Sequence, residues 1–184
     1  MLKVFESSRA KLLGSVAGLA LVAAAPMALA ATGTSPQSLD TTVSITIPER
    51  VSILNLSSTM AFGTWDASGD EQVTDDLCAW SNDGDPGQYR INLTTDNGSM
   101  VLQQGADTID YTVAWATSTG QTTGTNIPYN TPTTFTLAAP TTPTCGGGDN
   151  STIIVDIAEA DLAAAPASAT AYDAVMTVEI SSVP

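Results

Sequence analysis

Short segments in which apolar and polar residues alternate constrain the fold of this chain more than any other feature. In the clearest of them, residues 172–180, apolar side chains occupy every second position, and Asp173, Thr177 and Glu179 lie between them. A period of two places the apolar side chains on one face of a β-strand. The same alternation occurs in residues 39–47, 89–94, 109–115 and 153–157. The sequence therefore predicts short strands that each bury one face.

Turn-forming stretches separate the predicted strands. Gly, Asn, Asp, Ser and Thr are concentrated in residues 81–87, 95–99, 117–126 and 146–150, where they favour turns. Seven to nine short strands with one polar face each predict an all-β fold, a single immunoglobulin-like β-sandwich of two sheets. Residues 158–171 have the best helix composition, but Pro166 limits them to about one helical turn.

The N-terminal 30 residues have the pattern of a secretory signal peptide. Three basic residues precede an uncharged apolar run over residues 12–25, and Ala28-Leu29-Ala30 forms a small-x-small cleavage box. We predict cleavage between Ala30 and Ala31. The alternative is a retained membrane anchor. Pro26 and the shortness of the run relative to the roughly 20 residues that span a bilayer disfavour it, so no anchor is expected in the mature protein.

The charge balance excludes several classes of function. The full chain has a net charge of −14 and no His. A strongly acidic protein repels phosphate backbones, so no nucleic-acid partner is expected. Without His there is no Ser-His-Asp triad and no His-based metal site. We therefore predict no catalytic residues, no cofactor and no metal, although a pair of carboxylates of the glycosidase kind is defined in space and stays open.

Two binding functions remain as alternatives for a secreted, self-contained sandwich. The acidic turn Asn82-Asp83-Gly84-Asp85 resembles half of an oxygen-ligand calcium loop but lacks the spacing of an EF-hand. Trp65, Trp80 and Trp115 are candidates for a carbohydrate-binding platform, although the alternation around Trp115 indicates a core position.

The two cysteines, Cys78 and Cys145, both lie after the predicted signal peptide. In an oxidising compartment an isolated pair is most simply a disulfide bond. Two free thiols or a redox pair are the alternatives, but no C-x-x-C spacing favours them.

The first predicted strand of the mature chain ends at a proline. Its apolar face contains Leu39, Val43, Ile45 and Ile47, and Pro48 separates it from a second apolar segment over residues 51–56. Pro lacks an N–H group and cannot continue a central ladder, so it marks a break between two strands. Either the first strand folds back as an edge strand of its own sandwich, or its apolar face fills a groove elsewhere.

Several short segments of the chain resemble those of a known protein family. The similar segments extend across the mature sequence: residues 42–48 leading into 51–56, Met60-Ala61-Phe62-Gly63, Cys78 shortly before 88–93, 109–113, and 171–178. They resemble pilins of the chaperone–usher type, in particular the archaic and alternative branches that include spore-coat-protein-U-like domains.

The resemblance implies a structural subunit of a surface pilus or fimbria with a role in adhesion or biofilm. Such pilins are incomplete sandwiches: a periplasmic chaperone fills the open groove first, and the N-terminal strand of another subunit then replaces it at an outer-membrane usher. Residues 31–48 would form the N-terminal extension and donor strand, and residues 49–184 the pilin-like domain. Partners would be identical or related pilin subunits, and the location would be the cell surface. A coat or biofilm protein that assembles without strand exchange is a further alternative.

Overall fold

A computed structural model of the chain describes residues 42–84, 87–137 and 142–184. Two units divide at residue 45, and residues 46–184 contain all the regular elements described below. The described residues form ten strands and one short α-helix, α1 (Glu159–Ala164). The strands are β1 (Val51–Leu54), β2 (Glu71–Ser81), β3 (Gln88–Thr95), β4 (Val101–Gln104), β5 (Asp107–Asp110), β6 (Thr112–Ala116), β7 (Thr125–Asn126), β8 (Thr133–Thr136), β9 (Ser151–Ile157) and β10 (Met176–Ser181).

The strands pair in antiparallel sheets. The larger sheet has the order β1-β2-β9-β6-β7, the second has the order β10-β3-β8, and β4 and β5 form a separate two-stranded ribbon. The inward faces of β2, β6 and β9 share one hydrophobic core with those of β3 and β8. This arrangement confirms the predicted all-β fold class with a sandwich architecture.

An aromatic cluster joins the two sheets at the centre of the core. The indole Nε1 of Trp115 on β6 donates a hydrogen bond of 3.0 Å to the Tyr89 hydroxyl on β3. Phe135 on β8 stacks on Tyr89 at 5.9 Å between ring centroids and lies 6.1 Å from Trp115. Because the only polar group of the Trp115 side chain is satisfied, its large ring is buried without the cost of an unpaired donor.

Several of the alternating segments form strands, but some of these strands differ in length from the predicted segments. Residues 89–94 and 153–157 lie in β3 and β9 as predicted. The segment 109–115 is divided at Tyr111 between β5 and β6, although its four apolar side chains are all buried. Only residues 176–180 of the last segment are in a strand, and Tyr172 and Ala174 lie before the start of β10. The predicted single helical turn corresponds to α1, which ends before Pro166.

The disulfide prediction is confirmed. Cys78 on β2 is bonded to Cys145, with 5.9 Å between their Cα atoms. The bond attaches residues 142–150 to the larger sheet. Side chains reinforce this attachment: Ser52 Oγ donates to the Pro143 carbonyl at 2.7 Å, and Asn55 Nδ2 donates to Asp149 Oδ1 at 2.7 Å. The loop therefore fixes β1 as well as β2.

Several sequence predictions lie outside the described residues. These are the signal peptide over residues 1–30, the cleavage site at Ala30 and Ala31, Leu39 of the predicted donor strand, and Asp85 of the acidic turn. In the part of the chain that the structure describes, no helix has the length and apolar character needed to cross a membrane.

Candidate functional site

The sandwich is open along one side, where a groove of about 1070 Å³ exposes part of the hydrophobic core. One wall is formed by residues 56–65, which follow β1, and the other by residues 162–178, which include part of α1 and the start of β10. The apolar side chains at the groove are only partly buried, although they pack against the core: Leu56, Met60, Phe62, Leu102, Leu162, Tyr172, Met176 and Val178. Apolar surface that stays partly exposed is typical of interaction sites, so this groove is the candidate site.

The first wall carries no strand. Asn55 adopts a left-handed conformation with φ of 67° and ends β1, a position where Asn is better tolerated than most residues. Residues 55–65 then run without strand pairing, and side chains provide their local support. Ser57 N–H donates to Asp75 Oδ2 at 2.6 Å, and Trp65 Nε1 donates to the Gly69 carbonyl at 3.1 Å. This wall therefore has no strand partner among the described residues, and side chains bind the backbone groups of Ser57 and Thr59.

The second wall presents the edge of a sheet. β10 pairs with β3 from Met176 to Ser181, and within the described ranges no strand pairs with its other edge. Its apolar face is half-buried, in contrast to the fully buried inward face of β3. An edge strand with an apolar face is a template for pairing with another chain unless something covers it.

The floor of the groove is built from buried residues of the two-stranded ribbon and the larger sheet. It contains Ile109 and Tyr111 together with Val155 and Ile157 of β9. Tyr111 is 6% exposed. Burial raises its pKa to about 12, and the negative charge of Asp96 acts in the same direction. Both effects disfavour a phenolate in this apolar setting.

Replacing Tyr111 with Phe should reduce the loss of stability at alkaline pH. A pKa raised from 10.0 to about 12 means that the unfolded chain releases the Tyr111 proton before the folded chain does. The stability that the neutral Tyr111 side chain gives to the folded state is therefore complete below pH 10, and it is lost as the pH rises through 12. Urea unfolding at about pH 9, 10.5 and 11.5 measures how steeply the free energy of unfolding falls with pH. Tyr129→Phe, the same change outside the groove, is the control. Equal alkaline slopes for wild type and Y111F would contradict the prediction.

The predicted donor strand is exposed in its described part. Residues 42–47 form no strand, which differs from the sequence prediction. Val43 is 91% exposed, Ile45 86% and Ile47 72%. The physical reason is that an extended segment satisfies its backbone groups only when a neighbouring strand accepts them. Within the described residues these three side chains belong to no strand, and each is largely exposed.

Two side chains of the acidic turn considered for calcium binding, Asn82 and Asp83, are hydrogen-bonded within the domain. Asn82 Oδ1 accepts a hydrogen bond from the Arg50 N–H, and Asp83 Oδ2 accepts one from the Val183 N–H. These oxygens therefore stabilise the domain itself. Among the described residues, no group of three or more potential metal ligands is close enough to hold an ion.

The tryptophans do not form an exposed platform. Trp115 is 1% exposed and lies in the core, as its alternation indicates. Trp80 is 9% exposed, so its assignment to a surface platform is wrong: it lies on the buried end of β2. Trp65 alone is half-buried, and it lines the groove. A flat sugar-binding surface needs exposed aromatic faces, which these residues do not provide together.

Sequence reasoning identified the exposed segment but not the walls of the groove. The available signal was the set of apolar residues between Ile53 and Phe62, but four polar residues interrupt it and its spacing is too irregular for a strand of period two. Which side of the sandwich stays open depends on the pairing of β1 and β10, and their neighbours are distant in sequence.

Comparisons with known proteins give limited similarity. No protein-family model matches the chain, and no curated protein matches it. Among solved structures, the chain is similar to one from a chaperone–usher pilus, with 16% sequence identity and a TM-score of 0.42 over 84% of this chain and 100% of that chain.

Proposed function

We propose that this protein is a structural, non-catalytic subunit of a surface pilus or fimbria that assembles by donor-strand exchange. The observation that carries the proposal is the open apolar groove in a chain that also exposes an alternating apolar segment. Residues 39–47 of a second copy are the proposed occupant of the groove. The two features are both apolar, so they are complementary in chemistry.

The groove suits an extended peptide better than a small ligand. It lies between an irregular wall at residues 56–65 and the edge of β10 that no described strand pairs with. A strand placed there would exchange main-chain hydrogen bonds with an edge, as in strand-addition complexes. Alternate side chains would enter the core, because successive side chains of a strand point to opposite faces.

The N-terminal segment has the composition that such a groove requires. Residues 41–48 contain no charged residue, and Val43, Ile45 and Ile47 would point to the same side of a strand. With Leu39, burial of these side chains would give roughly 5–10 kcal/mol of hydrophobic stabilisation before the entropy cost of association. Exchange of strands between copies is head-to-tail and does not close, so it produces a filament.

The same groove explains the need for assembly partners. An uncovered apolar groove beside a sheet edge would cause aggregation. We therefore propose that a periplasmic chaperone covers the groove after export and that an outer-membrane usher catalyses its replacement by the next subunit. Adhesion or biofilm formation at the cell surface would be the role of the filament.

The test is an SDS gel of protein sheared from the surface of the native host, with unheated and boiled samples side by side. Subunits joined by buried strands should separate slowly, because dissociation exposes the whole groove. We expect a ladder without heating and a single monomer band after boiling. A single monomer band in both lanes would contradict donor-strand exchange.

A further inference from the structure

We propose that Asn82 directs each N-terminal strand to the groove of a second copy by preventing its return to the groove of its own domain. The inference rests on the proposed function. Asn82 acts on the strand root, defined as residues 48–50, which connects the predicted donor strand to β1. It is a positioning residue in the turn that follows β2.

Three hydrogen bonds join Asn82 to the strand root. Its Oδ1 accepts the Arg50 N–H at 2.6 Å, and its Nδ2 donates to the Pro48 carbonyl at 2.9 Å. Its backbone N–H donates to the Arg50 carbonyl at 3.1 Å. One side chain thus satisfies polar groups on both sides of Glu49, and the backbone bond extends the β1–β2 pairing beyond Val51 and Ser81.

The turn that holds the root is itself fixed. Asp83 N–H donates to Ser81 Oγ at 3.0 Å, and Asp83 Oδ2 accepts the Val183 N–H at 2.9 Å. Val183 follows β10, which forms the far wall of the groove. The adjacent residues Asn82 and Asp83 therefore connect the start of β1 to the end of β10.

A strand that entered its own groove would have to reverse at the root. Residues 39–47 precede β1, whereas the first groove wall follows β1 at residues 56–65. A reversal places a tight turn over residues 48–50, with new backbone dihedrals at each. The turn would also break the bonds from Asn82 to Pro48 and Arg50.

Replacing Asn82 with Ala should therefore shift the protein from filaments to self-complemented monomers. Two side-chain hydrogen bonds are lost, so we expect the monomer share to rise about tenfold. Size-exclusion chromatography and an unheated SDS gel measure that share. Exchange of the Arg50 amide with solvent, which reports opening at the root, should accelerate by a similar factor.

A matched control separates this role from general destabilisation. Gln72 on β2 also makes two side-chain hydrogen bonds, and its Nε2 donates to the Thr122 carbonyl at 3.0 Å and to Asp156 Oδ1 at 2.6 Å. None of these three residues lines the groove, so Q72A should assemble like wild type. N82D keeps the acceptor for Arg50 but loses the donor to Pro48, so its monomer share should lie between wild type and N82A. If N82A does not fold, N82D provides the test.

The outcomes distinguish this inference from the proposed function. Wild type that forms filaments together with monomeric N82A supports the positioning role. Wild type and N82A that form filaments equally well would overturn the role of Asn82 and leave strand exchange intact. Wild type that stays monomeric would overturn the proposed function itself.

Discussion

Replacing Ile45 and Ile47 together with Asp should abolish filament formation while the domain remains folded and exported. Both side chains are exposed in the single chain, at 86% and 72%, so the change removes no contact of the folded sandwich. In a filament, both would have to enter an apolar groove. Two unpaired carboxylates cannot be buried there without a cost of several kcal/mol each. That cost exceeds the hydrophobic gain from the other positions of the strand.

The alternation provides a matched control for this prediction. Ser44 and Thr46 lie on the opposite face of the same segment, so Asp at both positions adds the same charge without entering the groove. The measurement is the ladder on an unheated SDS gel, with the amount of exported monomer as a check on folding. We expect no ladder from the Ile45/Ile47 variant and a wild-type ladder from the Ser44/Thr46 variant. A normal ladder from both would eliminate residues 39–47 as the donor strand.

Removing the disulfide should lower the free energy of unfolding by roughly 4 kcal/mol, from the loop-entropy relation for a bond across 67 residues. The bond reduces the conformational entropy of the unfolded chain over the segment that contains most of the core strands. It also holds residues 142–150, whose contacts with Ser52 and Asn55 support β1. Part of the loss should therefore appear as a less ordered groove wall after Asn55.

Urea unfolding of a Cys78→Ala/Cys145→Ala variant measures this effect. Wild-type protein unfolded under reducing conditions is the control for the substitutions themselves and should show a similar loss. The double variant should also bind a synthetic peptide of residues 39–48 less tightly, because its β1 wall is less ordered. A change in the free energy of unfolding below about 1 kcal/mol would show that other contacts hold the loop.

The period-two alternation predicted the strands whose inward faces form the core. It succeeded for β3 and β9 because the two faces of a strand alternate whatever strand lies beside it. It failed for β2, the longest strand, because Glu71, Asp75 and Asp76 interrupt the apolar pattern. Their neighbours come from distant segments: Asp75 accepts the Ser57 N–H, and Asp76 accepts the Gly120 N–H and the Thr152 hydroxyl. No local pattern contains that information.

The break at Tyr111 has the same origin. The sequence reads as one strand from Ile109 to Trp115, but β5 pairs with β4 and β6 pairs with β9. The chain changes partners at Tyr111 and keeps its side chain inside, where it becomes part of the floor of the groove. Alternation alone does not show which partner each half selects.

Residue types and local patterns were sufficient to predict the all-β class, the two-faced strands, the Cys78–Cys145 pair and an alternating apolar segment ahead of Pro48. Long-range pairing was needed to place β10 at a sheet edge, to leave that edge uncovered beside residues 55–65, and to bring Asn82 against the strand root. An open groove is defined by the pairing that is missing, and strands choose their neighbours among residues far apart in the chain.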